Sequence, residues 1–433
     1  MSIEHRTVIV VGGGPAGLAF TAVLGGWHPY YKGGHLFQER YGQLDEYLSS
    51  LRGSLFNLNF SDLVKTGIQP ADLFRLLHHP GNKFRSLDEI AYEFRKEKAI
   101  DYLLITQENV GGLWNNVPRN LLTLSPGQWM EFGYYPLAQH NKEQGLDFDV
   151  NDLIIKHNLI DYYHTVPKRF GQMDNIHTEE RVTRIEPHDK GFLVTSQDVS
   201  GETTHQYTCK YLIYAVGQRS NLRTLDVPGE NLPFVSPHYD HFDDYPNEQV
   251  MVVGGGRSAD WAATELHDAG RHVHYIMRQP FDIHWRLISD SRHSLPYYAR
   301  SAELIETKSP RFNTLYDTHI QKIEENGTVT MTTHDREHTQ KVDHLIKEIG
   351  AWADYSLLQG FEKSPTLVEK HDAYRFQVHQ VATHPHNYES IDIPNFYPGG
   401  YLAQGIGLVV FAMHGTTYPI AADIMKKEGV IHA

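Results

Sequence analysis

Two short segments of this chain repeat one pattern, and that repeat narrows the possible folds more than any other feature. The first runs Thr7-Val-Ile-Val-Val-Gly12-Gly-Gly14-Pro15-Ala16-Gly17-Leu-Ala-Phe. The second runs Val250-Met-Val-Val-Gly254-Gly-Gly256-Arg257-Ser258-Ala259-Asp-Trp-Ala-Ala. Each is a β-branched run, a glycine turn and a small-residue helix start. One such motif is weak; two, each between a strand and a helix, read as two dinucleotide-binding units. In the first turn Gly12 permits the tight bend, Gly14 lets a pyrophosphate approach the backbone, and Gly17 lets helix and strand pack closely. The helix N-terminus, opened by Pro15 and Ala16, presents its positive end to the phosphates. The expected fold is α/β, with two nested Rossmann-like dinucleotide-binding domains.

The segments between the turns set the nesting. Residues 40–98 read as a mixed helical insertion, with Asp72-Leu-Phe-Arg-Leu-Leu-His-His79 and Leu87-Asp-Glu-Ile-Ala-Tyr-Glu-Phe-Arg95 as its helical runs. An insertion of that length is a lid, another functional element or a structural one. The second strand of the first unit is expected at Ile100–Gln107, in preference to His35-Leu-Phe-Gln-Glu39, because Gly111-Gly112-Leu113-Trp114 follows closely. An acid after that strand holds a ribose in such units, which makes Glu108 the candidate with Gln107 beside it, and Glu39 the alternative. Residues 180–217 read as a β-meander closing on Tyr211-Leu-Ile-Tyr-Ala-Val-Gly217, and residues 342–350 repeat that strand-to-glycine ending at Gly350. Asn395-Phe-Tyr-Pro-Gly-Gly400 leads through Gly405 into a helix start at 405–424. The first domain is therefore expected over 1–228 and 345–433, and the second over 229–344. Gly217, Gly350, Gly400 and Gly405 join the cofactor-contact candidates.

In the second unit Ala259 replaces the third glycine, and no acid ends the strand His272-Val-His-Tyr-Ile-Met-Arg278. An acid there would repel a 2′-phosphate, whereas Arg278, with Arg257 and Arg271, would attract one. The two cofactors expected are FAD on the first turn and NADPH on the second. A net charge of -14 argues against a nucleic-acid or anionic-membrane partner. The single cysteine, Cys209, leaves no internal disulfide and no redox pair of the kind flavin disulfide reductases need. The 28 histidines include His78-His79, His272/His274 and His384/His386, but none has convincing ligand spacing, and no metal is expected. Thr7–Trp27 is apolar but broken by glycines, so it reads as strand-turn-helix rather than a signal peptide or membrane span. A cytoplasmic protein is expected, acting on a small molecule and O2, with a homodimer left open.

The double glycine motif, Gly111-Gly112-Leu-Trp114 and the Ala-Val-Gly217 strand end resemble the class B flavin monooxygenases. Gly111-Gly-Leu-Trp-Asn-Asn116, Leu122-Thr-Leu-Ser-Pro-Gly-Gln-Trp-Met-Glu131 and Asn395-Phe-Tyr-Pro-Gly-Gly-Tyr-Leu-Ala403 resemble, more narrowly, the oxidative stress-induced growth inhibitor family. The resemblance implies FAD held by both ends of the chain, with the flavin near Trp114 and the 122–131 loop. Ser125, Gln128 and Trp129 are then flavin-proximal candidates, and Trp129 with Phe281, His284 and Trp285 could wall a substrate site. It also implies NADPH on the inserted domain and oxygen transfer through a C4a-hydroperoxyflavin, with nitrogen the preferred acceptor. An NADPH oxidase or reductase and a non-catalytic regulatory protein are the alternatives. Leu124 stands where flavin-containing monooxygenases place an asparagine. Phe234, Ser236, His238 and His241 depart from the Baeyer–Villiger fingerprint.

Overall fold

The computed structural model describes residues 3–81, 85–218, 221–246, 248–371, 377–407 and 415–431. The apolar run Val8–Val11 is buried on both faces, as a strand inside a parallel sheet must be. It belongs to Glu4–Val11, which pairs in parallel with Tyr102–Ile105 on one side and with Thr204–Tyr214 on the other. The second strand thus falls within the span expected at 100–107, while His35–Arg40 is a helix. The sheet has seven strands. Ile176–His177 lies beyond Tyr102–Ile105, and the antiparallel meander Glu180–His188 and Gly191–Asp198 lies beyond Thr204–Tyr214. That long strand has two partners on its outer edge. Its first half pairs with the meander, and Leu212–Tyr214 pair in parallel with Phe396–Pro398. This second pairing brings the end of the chain back beside its beginning. The helix Thr417–Lys427 then packs on Pro15–Leu24. Of the expected helix start at 405–424, residues 408–414 lie outside the described residues.

The insertion is wider than 40–98 and enters differently from the expectation. The chain leaves through Trp27–Tyr31 and returns through Tyr92–Lys96, two strands that pair only with each other, antiparallel, Trp27 facing Lys96 and Tyr31 facing Tyr92. Between them lie the helices His35–Arg40, Gly42–Ser49, Phe60–Lys65 and Pro70–His78. The run read as helical at 87–95 is instead one short 3-10 turn, Leu87–Glu89, followed by the returning strand.

The second sheet is parallel throughout, in the order Val235–Ser236, His344–Lys347, Gln249–Val253, His272–Ile276, Phe312–Leu315. His344–Lys347 pairs within this sheet, so a domain boundary at 345 would cut a strand; the second sheet takes in residue 344 onward to 347. Helices Arg257–Asp268, Phe281–Ser291 and Pro296–Glu306 and a three-stranded antiparallel sheet over 318–341 accompany it. The two domains are joined by an antiparallel pair, Asn221–Leu222 with Ala351–Trp352, made of the outgoing and returning legs of the chain. No helix among the described residues is long and apolar enough to cross a membrane.

Candidate dinucleotide sites

The two turns are built alike. A Cβ on Gly12 would come within 2.5 Å of the Ala215 carbonyl oxygen, and one on Gly254 within 2.1 Å of the Glu348 carbonyl oxygen. Ala215 and Glu348 follow equivalent neighbouring strands, so the resemblance between 211–217 and 342–350 is a structural one. Neither following helix has a side chain capping its N-terminus, which leaves backbone N–H groups there without an intrahelical partner.

The first turn is covered by the 111–114 loop. Gly111 N–H donates to the Gly13 carbonyl at 2.8 Å. A Cβ on Gly112 would lie 2.6 Å from the Gly14 Cα, so two backbones meet here with no room for a side chain on that one. A Cβ on Gly14 itself would meet nothing nearer than 3.9 Å. Uncapped N–H groups beside such a space fit a pyrophosphate. Trp114 is buried next to the turn, and Leu113 is exposed. Glu108 follows the second strand and accepts from Asn116 Nδ2 at 2.7 Å; Gln107 is exposed beside it. Glu39 lies on an exposed face of the insertion. Gly399 N–H donates to the Tyr214 carbonyl at 2.8 Å and Gly400 N–H to Thr416 Oγ1 at 2.9 Å, which holds the returning segment at the same sheet edge. Gly405 is fastened by Gln380, whose Oε1 accepts from Gly405 N–H at 3.1 Å while its Nε2 donates to the Tyr401 and Ile406 carbonyls. Sequence reasoning missed Gln380, because nothing in its neighbourhood marks it as a clamp.

The 122–131 segment divides between two neighbours. Leu124 packs onto the second domain's apolar cluster of Leu287, Ile288, Tyr297 and Tyr298. Ser125 is half-buried, its carbonyl accepting from Thr123 Oγ1. Gln128 and Trp129 turn to the insertion instead. Gln128 Nε2 donates to the Asn151 side chain and its Oε1 accepts from Arg85 N–H, so both ends of the amide are used. The Trp129 ring stacks on His79 at 3.8 Å and 10°. The segment ends in a buried polar cluster. Glu131 Oε1 takes Arg85 Nη2 and lies 2.8 Å from His78 Nε2, Glu131 Oε2 accepts from Leu137 N–H, and Tyr92 OH reaches His78 Nδ1 at 3.0 Å. Burial pushes the Glu131 carboxyl up to about 7 against the pull of Arg85. The sequence signal for this cluster was the His78-His79 pair at the end of an apolar helix.

In the second unit Ala259 is fully buried, its Cβ 3.2 Å from where a Cβ on Gly254 would lie. Gln279, another residue the sequence did not mark, donates through Nε2 to the Gly255 carbonyl at 2.7 Å and braces the turn. Arg257 opens the helix with Ser258 behind it, and its Nε is buried with no hydrogen-bond partner. Arg278 is exposed just past the strand His272–Ile276. Arg271 does not join them: it lies at the opposite end of that strand, where Nε donates to the Tyr245 carbonyl and Nη1 to the Ala269 carbonyl. His284 is fully buried on Asp260 at 3.1 Å, with Ser301 Oγ also donating to Asp260 at 3.1 Å; it ties helices together rather than walling a substrate site. Phe281 and Trp285 stack on each other at 5.6 Å, with Phe281 exposed. Gly217 opens the outgoing leg, and Gly350 in the returning leg accepts from Arg223 N–H at 3.0 Å. Cys209 is buried in Thr204–Tyr214, and burial pushes its thiol well above the usual range. Among the described residues no group of three His, Cys, Asp or Glu could hold a metal ion.

The profile of the family described as pyridine nucleotide-disulphide oxidoreductase matches residues 89–380, well over half of the chain. Oxidative stress-induced growth inhibitor 1 of mouse is 25% identical over 298 residues, a match spanning 60% of either chain. The human protein of that name is 23% identical over 468 residues, covering 99% of this chain and 96% of that one. Among solved structures, bacillithiol disulfide reductase Bdr from Bacillus cereus superposes with a TM-score of 0.66 at 20% identity, over 98% of this chain and 100% of that one. The ornithine N-hydroxylase of Kutzneria sp. 744, solved with reduced FAD, NADP+ and ornithine, gives 0.59 at 15%, over 98% and 100%. The fold is that of the FAD- and NAD(P)-binding flavoproteins.

Proposed function

The chain belongs to the pyridine nucleotide-disulphide oxidoreductase family, and on that premise we propose that it is an FAD- and NADPH-dependent monooxygenase placing one atom of O2 on a small molecule, at nitrogen. Although the family is described by disulphide oxidoreduction, this chain has no second cysteine for a redox pair. The observation that carries the proposal is that two glycine turns of one build, each following a strand with parallel neighbours in its own sheet, are linked by one short strand pair, while the sole thiol is buried in a strand. Electrons delivered between two such sites need an acceptor that comes from outside the chain, and O2 needs no docking surface. The preference for nitrogen rests on the likeness to the ornithine N-hydroxylase.

The chain's own residues bind, orient and shield. The uncapped N–H groups ahead of Pro15–Leu24 would hold the FAD pyrophosphate, with Gly14 leaving the space and the 111–114 loop closing over it. Glu108 would take the ribose hydroxyls, and Arg257 and Arg278 the 2′-phosphate of NADPH. Trp114, and Leu124 on the second domain's apolar cluster, exclude water between the units. When bound, the flavin supplies two-electron reduction by the nicotinamide and reaction with oxygen.

A second reading, a reductase or oxidase without oxygen insertion, is favoured by the higher TM-score with the bacillithiol disulfide reductase. The test is NADPH oxidation by the purified yellow protein under labelled oxygen gas, with a panel of amines. The monooxygenase reading expects oxygen uptake matched by a product carrying one labelled atom. Peroxide formed in step with NADPH, with no labelled product, would transfer the assignment to the second reading.

A further inference from the structure

Resting on the reading of the second cradle as an NADPH site, we propose that Arg223, on the leg between the domains, is a second 2′-phosphate-binding residue and closes on that group opposite Arg278. Its guanidinium lies over the Trp352 ring at 3.6 Å, and Trp352 in turn stacks on His379 at 4.9 Å and 12°. A guanidinium held by its face keeps its edge N–H groups for two oxygens of an anion such as phosphate. Arg223 Nε is buried and has no hydrogen-bond partner, a state that costs free energy unless an acceptor arrives. Burial, and then the like charge of Arg278, hold the Arg223 guanidinium below its ordinary range, so the two cations lie close enough to repel. Among the described residues neither has a carboxylate partner. Two neighbouring arginines with no carboxylate partner among the described residues, one exposed past a strand end and one fixed by stacking, make a site for a doubly charged anion.

Placement gives the pair a second consequence. Arg278 stands just past the C-terminal end of an interior strand of the second sheet, whereas Arg223 adjoins the strand pair Asn221–Leu222 and Ala351–Trp352. A phosphate gripped by both would fix the inserted domain's legs against its own nucleotide edge.

The probe is adenosine 2′,5′-bisphosphate, with adenosine 5′-monophosphate as the control lacking the 2′-phosphate, measured by calorimetry on flavin-loaded protein. Arg223→Gln should weaken the bisphosphate about tenfold to hundredfold and leave the monophosphate unchanged. In the unmodified protein, phenylglyoxal labelling of Arg223, read by mass spectrometry, should be blocked by the bisphosphate and not by the monophosphate, a measurement that stands even if the variant does not fold. Unprotected labelling, or a variant that binds the bisphosphate normally, overturns the role of Arg223 while leaving the NADPH site intact. If the unmodified protein binds both nucleotides equally, the NADPH reading itself falls, and this inference with it.

Discussion

The two glycine turns start from one sequence pattern but tolerate different residues at their third position. A Cβ on Gly17 would lie 1.9 Å from the Gly12 carbonyl oxygen, a backbone atom that cannot step aside. At the matching place in the second unit an alanine is already present and fully buried. The first helix is pressed closer to its strand, with Thr417–Lys427 packed on it, and the second is set slightly off. The comparison teaches that the motif letters describe a clearance: glycine is obligatory only where helix and strand close to contact distance.

The sharpest way to break that comparison is to exchange the residues. Gly17→Ala should give protein that has lost its flavin, or fails to fold, as read by absorbance of the purified material. Ala259→Gly should cost only about 1 kcal/mol of helix stability and retain NADPH use. If Gly17→Ala keeps full flavin content, the clearance argument is wrong. A smaller effect is expected from charge. Arg278→Ala should raise the KM for NADPH about tenfold to hundredfold, since one charged contact is lost, and barely move that for NADH. Equal loss with both cofactors would move Arg278 away from the 2′-phosphate.

The smallest expected effect concerns what the first unit has in addition, an insertion fastened through Glu131. In the folded chain this carboxyl keeps its proton to about 7, against an ordinary 4.5. Between those values the folded form holds more protons than the unfolded one, so stability falls as pH rises. The contribution is complete below 4.5 and is lost as the pH passes through 7. Thermal midpoints across that window should decline for the unmodified protein, and Glu131→Gln should flatten the decline. An unchanged slope in the variant would assign it to other groups.

Periodicity and glycine spacing made the sheets readable. Val8–Val11 and Val250–Val253 could only be buried parallel strands, and the strand at 100–107 followed from the Gly111-Gly112 loop behind it. The ribbon Trp27–Tyr31 with Tyr92–Lys96 was not readable, because its strands pair only with each other across more than sixty residues, and Pro29 interrupts the first. Within the site, residues set by local geometry were legible and those set by distant partners were not. Gly12 and Gly254 announce their turns. Gln128 looks like a loop amide until Arg85 and Asn151 occupy both its ends. Arg271 resembles Arg278 in sequence and differs only in which end of one strand it stands at. Arg223 carries no motif; its neighbours Trp352 and Arg278 come from sequence more than fifty residues away.

The split edge of Thr204–Tyr214 bears on the order of events during synthesis. Gln249–Val253 finds its parallel partners among residues 272–347, so the second domain has its whole sheet once the ribosome has passed that point. Leu212–Tyr214 wait for Phe396–Pro398. Domains fold as units as they emerge, and distant pairings form slowly. The inner domain is therefore complete while the outer one still shows an open strand edge, and the outer nucleotide site closes only once Phe396–Pro398 and Thr417–Lys427 have left the exit tunnel.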